Sequence, residues 1–287
     1  MRHVYECPVR WADLDALGHV NNVVYVDYLQ EARVDMFRSH AGLPAREMED
    51  GLVVARTQVR YREPLLFRFE PVRIDVWVVE VRAASFTLAY AVYDELPGGA
   101  RKVYLTASTV LTPYVFAEER PRRLTAEEKQ VLEGHRDEGE APSVAPRTEP
   151  RHLEAGHYPV HVRFSDVDVY GHVNNVKYFE YLQEARIVLM GRLWEEVPAA
   201  TGRTSLVVAQ VDVDYRVPIL HRAAPYDAWT WVTHVGNTSM VVETEIMDGS
   251  TVLAWARVVL VFFDQATGRP RVPDESVRGP LLAALGA

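Results

Sequence analysis

Two short polar stretches hold the side chains best suited to chemistry. One runs Asp13-Leu-Asp15-Ala-Leu-Gly18-His19-Val-Asn21-Asn22, and the other, 153 residues on, runs Asp166-Val-Asp168-Val-Tyr-Gly171-His172-Val-Asn174-Asn175. A carboxylate in such a loop can act as a nucleophile or as a general base, and an imidazole is the side chain that titrates nearest neutrality. Asp15 and Asp168 are the candidate catalytic carboxylates. Asp13 and Asp166 suit capping or turn roles, because Asx side chains readily accept backbone N–H bonds. Gly18 and Gly171 supply a backbone conformation other residues resist. For His19 and His172 two readings stand side by side: orienting the aspartate or relaying a proton, and merely fastening the loop. An Asp-x-Asp pair before a histidine also has the chemistry of a cation site; the expectation here is that no metal is bound.

The elements that must position these loops follow from spacing. Tyr25, Tyr28, Leu29, Ala32 and Met36, then Tyr178, Tyr181, Leu182, Ala185 and Leu189, recur three and four apart, which predicts a helix with one buried face after each loop. Tyr25 and Tyr178 are candidates for core or pocket wall. A strand is expected before each loop, His3 to Trp11 and Tyr158 to Phe164. Four strands follow each helix: Leu52 to Tyr61, Val72 to Val81, Phe86 to Tyr93 and Val103 to Tyr114, then Leu206 to Tyr215, Tyr226 to Val235, Met240 to Met247 and Val252 to Phe263. Thr125-Ala-Glu-Glu128 is a capping-box pattern that predicts a short helix closing the first half. Such an order satisfies its apolar faces by wrapping an antiparallel sheet around one helix, an α+β layout.

The segments Asp13–Arg33 and Asp166–Arg186 are identical at 15 of 21 positions, so the unit is duplicated. Tyr61-Arg-Glu-Pro64 and Tyr215-Arg-Val-Pro218 extend the likeness. The expected domains are 1–135 and 157–287, joined by a solvated linker over 136–156 that is rich in Pro, Glu and small residues. Two such units are expected to pair as a pseudo-dimer. A chain of 287 residues, 48% apolar and 25% charged, can build two cores. Its single cysteine, Cys7, excludes an intrachain disulfide and fits a reducing, cytoplasmic setting. The net charge of −9 argues against general nucleic-acid binding. No long apolar run suggests a membrane segment. A phosphate-bearing ligand would need a local basic cluster, for which Arg56, Arg60, Arg62, Arg68 and Arg73 are candidates; the other reading is a solvated sheet face. H-E-x-x-H, G-x-S-x-G, Walker A and G-x-G-x-x-G patterns do not occur.

D-x-D-x-x-G-H-V-N-N, the following tyrosine and the Y-L-Q-E-A-R helix together resemble the hotdog-fold thioesterases of the 4-hydroxybenzoyl-CoA thioesterase-like family, in both halves and over nearly the whole chain. The resemblance implies two tandem hotdog domains that hydrolyse small-molecule acyl-CoA thioesters, with coenzyme A as part of the substrate and no separate cofactor. It implies Asp15 and Asp168 as nucleophile or general base, and a helix N-terminal backbone N–H near Asn22 and Asn175 as oxyanion donor. His19, Asn21, His172 and Asn174 are similar to the G-H-V-N-N variant of plant acyl-ACP thioesterases, but Leu17 and Tyr170 replace the asparagine those enzymes carry. Coenzyme A is therefore ranked above acyl carrier protein. The alternatives are an acyl-ACP thioesterase and a non-catalytic acyl- or CoA-binding or assembly module; self-association of the double-domain chain stays open.

Overall fold

The computed structural model describes residues 1–40, 51–139, 143, 146–195, 205–264 and 267–286. The chain divides into two compact units, Met1–Val144 and Ala145–Ala287. In the first, β1 (His3–Cys7) precedes helix α1 (Val24–His40), then come β2 (Leu52–Tyr61), β3 (Val72–Val81), β4 (Phe86–Glu95), β5 (Arg101–Val115), the two-residue β6 (Arg120–Pro121) and α2 (Ala126–Gly134). The main strands lie in the order β1-β3-β4-β5-β2, every neighbour antiparallel. The second unit repeats this with β7 (His157–Val160), α3 (Asn175–Leu193), β8 (Ser205–Tyr215), β9 (Tyr226–Val235), β10 (Ser239–Asp248), β11 (Thr251–Asp264), β12 (Arg269–Pro270) and α4 (Glu275–Gly286). Its order is β7-β9-β10-β11-β8, again antiparallel. Each unit is thus a hotdog domain. Among the described residues no helix is long and apolar enough to cross a membrane.

The inward strand face follows a period of two, with Val72, Ile74, Val76 and Val78 of β3 wholly buried. Against such faces α1 buries the stripe read from spacing, Tyr25, Tyr28, Leu29, Ala32 and Met36, and adds Phe37, whose ring meets Phe86 edge-on at 6.1 Å. Each large apolar side chain so buried contributes about 1.5–3 kcal/mol. That packing holds each helix, and hence its N-terminus, in place.

Three expectations change. The opening strands end early, at Cys7 and Val160, because the Arg10 and Arg163 N–H groups donate to Asp13 and Asp166 (2.9 and 2.8 Å) and start a 3-10 turn instead of a ladder. A closing helix, α4, appears in the second unit as well; Pro280 inside it obscured the pattern. The segment assigned to a solvated linker is largely exposed where it is described, but it is anchored to the sheets at particular points. The Trp77 Nε1–H donates to the Glu138 carbonyl. Arg147 pairs with Asp214 at 3.1 Å, and a Cβ on Gly156 would sit 1.9 Å from the Thr230 carbonyl oxygen. Cover for indoles and buried carboxylates on the outer sheet faces explains this, and linker composition alone does not announce it. Residues 140–142, 144 and 145 of that segment lie outside the described residues.

Candidate active site

In the first domain, Asp15 sits on a loop that folds back on itself before α1. At its base the Asn21 N–H donates to the Asp13 carbonyl (2.9 Å), and higher up the Asp15 N–H donates to the His19 carbonyl (2.8 Å). Gly18 turns the tip at φ 77°, a left-handed conformation in which a side chain would be strained. The Asp15 carboxylate is half-buried; its Oδ1 accepts from the Leu17 and His19 N–H groups (2.8 and 3.1 Å), and no described residue bonds Oδ2. Its own turn thus fixes the carboxylate through one oxygen.

The second domain repeats this almost bond for bond. Asn174 N–H to the Asp166 carbonyl is 2.9 Å and Asp168 N–H to the His172 carbonyl 2.8 Å, with Gly171 at φ 80°. Asp168 Oδ1 accepts from the Tyr170 and His172 N–H groups at 2.9 and 3.4 Å. It is the main chains of His19 and His172 that close the loops. Asn21 and Asn174 cap the helices in the same way, Oδ1 accepting from Val23 and Val176 N–H, each at 3.2 Å. Asn175 therefore opens the first turn of α3, and Asn22 lies in the turn that leads directly into α1; N–H groups at a helix start lack intrahelical partners and carry partial positive charge. The Asn22 and Asn175 carbonyls are anchored by the Tyr61 and Tyr215 hydroxyls at 2.7 and 3.1 Å.

Behind the loop stand residues whose pairing the spacing did not reveal. The Tyr28 hydroxyl donates to Asp13 at 2.5 Å and the Tyr181 hydroxyl to Asp166 at 2.7 Å. Burial opposes ionisation of Asp13, but hydrogen bonds from Tyr28 and Arg10 outweigh it and hold its carboxyl below the usual range. Burial, and then the adjacent carboxylate, push the Tyr28 and Tyr181 phenols up, so both stay donors. A retained Asp and Tyr fifteen residues apart in both copies was the available signal. Tyr25 and Tyr178 are buried, their phenols raised by burial, and the Tyr178 hydroxyl accepts the Ile219 N–H at 3.1 Å, while the Leu65 backbone faces the Tyr25 phenol and opposes that rise. They tie the helix to the Y-x-x-P segment and belong to the core. Burial, then Asp13, pushes the Cys7 thiol up to about 12, which leaves it inert as a nucleophile at neutral pH.

The basic cluster does not form as a set of unpaired charges. Arg68 forks onto Asp94 and Arg73 pairs with Glu95, while Arg56 and Arg60 also have partners. Beside the loop instead lies an aromatic collar. A bridge between His19 and Leu66 brings up Phe67, whose ring meets Trp11 and Phe69 at 5.3 and 5.2 Å; Trp11 and Phe69 are 74 and 89% exposed.

The family model described as the thioesterase-like superfamily matches residues 9–131 and 162–284, once per domain. The Bacillus subtilis (strain 168) protein YsmA, uncharacterised, is 31% identical over 115 residues, 38% of this chain and 74% of that protein. Among solved structures, a provisionally assigned oleoyl thioesterase of Lactobacillus plantarum superimposes with a TM-score of 0.74 at 15% identity, over 92% of this chain and 98% of the other. A 12:0-ACP thioesterase of Umbellularia californica gives 0.71 at 16% identity, over 92 and 94%. At those identities the two structures show a shared fold.

Proposed function

Because the chain belongs to the thioesterase-like superfamily, we propose that it hydrolyses acyl-CoA thioesters to free acid and coenzyme A, with Asp15 and Asp168 as the reacting carboxylates. The observation that carries this reading is the doubled geometry: a half-buried aspartate, pinned through one oxygen, on a lasso that ends at a capped helix N-terminus. The carboxylate attacks the thioester carbonyl, or removes a proton from a water that does. Negative charge then grows on the carbonyl oxygen, where the Asn22 or Asn175 N–H and the helix dipole stabilise it. Collapse of the tetrahedral species breaks the C–S bond. With a thiol pKa of ~8.5, the thiolate departs without a strong general acid. If the carboxylate itself attacks, the resulting acyl-aspartyl anhydride is hydrolysed by water; attack at the aspartyl carbon leaves heavy oxygen in the side chain after one turnover in heavy-oxygen water, attack at the acyl carbon leaves it in the product acid, and only the covalent route can label the aspartate. The preference for coenzyme A rests on the loop motif, and the single cysteine fits work in the reducing cytoplasm.

Thiol release from a panel of acyl-CoAs, set beside the same acyl groups on acyl carrier protein, tests the reading. Asp15→Ala with Asp168→Ala should lower the rate at least about 100-fold. Equal rates for this variant and the native chain would remove the assignment, binding without turnover would favour a non-catalytic module, and faster cleavage from the carrier protein would change the substrate class.

A further inference from the structure

The reading of Asp15 and Asp168 as reacting groups leaves unexplained why the acid two places earlier is also kept in both loops, and buried: Asp13 is 2% and Asp166 4% exposed. Each joins three parts of the site. Through its carbonyl it holds the N–H of the helix-capping asparagine, Asn21 or Asn174. Through Oδ2 it takes the N–H of Arg10 or Arg163, at the end of the approach to the loop. Through that same oxygen it accepts the hydroxyl of Tyr28 or Tyr181, in the body of the helix. Loop base, helix cap and helix barrel therefore meet at one side chain. Sliding the loop along the helix would break a charge-assisted O–H bond in an environment with little water to replace it.

We infer that Asp13 and Asp166, with Tyr28 and Tyr181, are positioning residues that set the distance between the reacting carboxylate and the N–H at the start of the helix that follows, that of Asn22 or Asn175. The inference rests on the proposed hydrolysis and deepens it. The duplicated geometry argues for a task beyond filling space: the hydroxyl-to-carboxylate bond recurs at 2.5 and 2.7 Å, each time with the arginine N–H on the same oxygen and the asparagine N–H on the same residue's carbonyl. In the first domain an acid is favoured because, while Oδ2 receives the hydroxyl and the main-chain N–H, Oδ1 accepts from the Arg10 guanidinium at 3.0 Å. Asparagine fills the same volume but brings an NH2 group and no charge.

The test uses the full chain with Asp13→Asn plus Asp166→Asn and, separately, Tyr28→Phe plus Tyr181→Phe. Turnover of an acyl-CoA and amide hydrogen exchange are measured on each. The Asn pair should lose about ten-fold or more in kcat and the Phe pair several-fold, with KM within about two-fold, because misplacement of a reacting group costs rate before it costs binding. Amides of residues 14–22 and 167–175 should exchange faster. Unchanged kcat overturns the inference, and so does a loss confined to KM, which would assign these residues to substrate binding. If the Asn pair does not fold, the Phe pair decides, since it removes only the hydroxyls. Native-like turnover in the Asp15→Ala, Asp168→Ala chain would be a failure of the catalytic reading alone; hydrogen exchange then decides the inference, and unchanged exchange overturns it.

Discussion

The two domains agree where the loops meet the helices and diverge on the outer faces of their sheets. Around Asp15 and Asp168 the main-chain bonds match to within a few tenths of an ångström. On the outer face the first domain carries Asp75, Ala89 and Thr106, and at the corresponding strand positions the second carries Trp229, Glu243 and Trp255. Glu243, 1% exposed, accepts from the Trp255 indole and from Thr148 of the covering segment; Arg147 lies over the Trp255 ring, and His152 stacks on Trp229. The collars differ too, with Phe164, His221 and Ala223 where the first domain has Trp11, Phe67 and Phe69. Loop geometry is thus common to both copies, while the outer sheet faces and collars are particular to each, so on the proposed reading chemistry should be shared and stability local.

The sharpest way to break that comparison is to inactivate one loop at a time. If the loops are equivalent, Asp15→Ala and Asp168→Ala should each leave about half the thiol release, and only the double variant the full loss of at least about 100-fold. A single variant that matches the double would show that alike bonding does not mean alike contribution. Next in size is Gly156→Ala. The Cβ would collide with the Thr230 carbonyl, so the second domain should lose about 3 kcal/mol in denaturant unfolding, with the first domain unaffected. A native-like midpoint would show that the covering segment is not held as described. Glu243→Ala places in the second domain what Ala89 is in the first, and it strands the Trp255 and Thr148 donors. Calorimetry should register about 1–3 kcal/mol. The smallest effect concerns Asp13. Its native pKa lies below the unfolded value of about 3.9, so its contribution to stability is complete above that pH and disappears as the pH falls through the lowered native value. The stability gap between the native chain and Asp13→Asn should be constant near neutrality and close only in acid; a gap that closed near pH 6 would mean another group is responsible.

Much of this molecule is legible in its residues, for reasons that also mark where legibility ends. Runs of β-branched and aromatic residues gave β2, β3 and β9 their bounds, and the Tyr25–Met36 stripe gave the helix its buried face, because both patterns record a local geometry. The Asp-x-Asp loop and its glycine could be read as a turn ahead of a helix. The bond from Tyr28 to Asp13 could not, since it depends on how the helix lies against the loop. Nor could the packing of Arg147, Thr148 and His152, whose partners are more than sixty residues away in the chain. The approach strands were overextended because an apolar run does not reveal that a later aspartate captures its last N–H.

The contact between Gly156 and the Thr230 carbonyl bears on how the polypeptide can be dissected. Main chain touches main chain there, and upstream of it Thr148 and His152 shield the Trp231 and Trp229 rings. A fragment begun at His157 would uncover those rings and the Glu243 carboxylate together, an apolar and charged scar prone to aggregation. A cut between Val144 and Ala145 keeps the shielding residues with the sheet they protect, and is the place from which each half should be expressed alone.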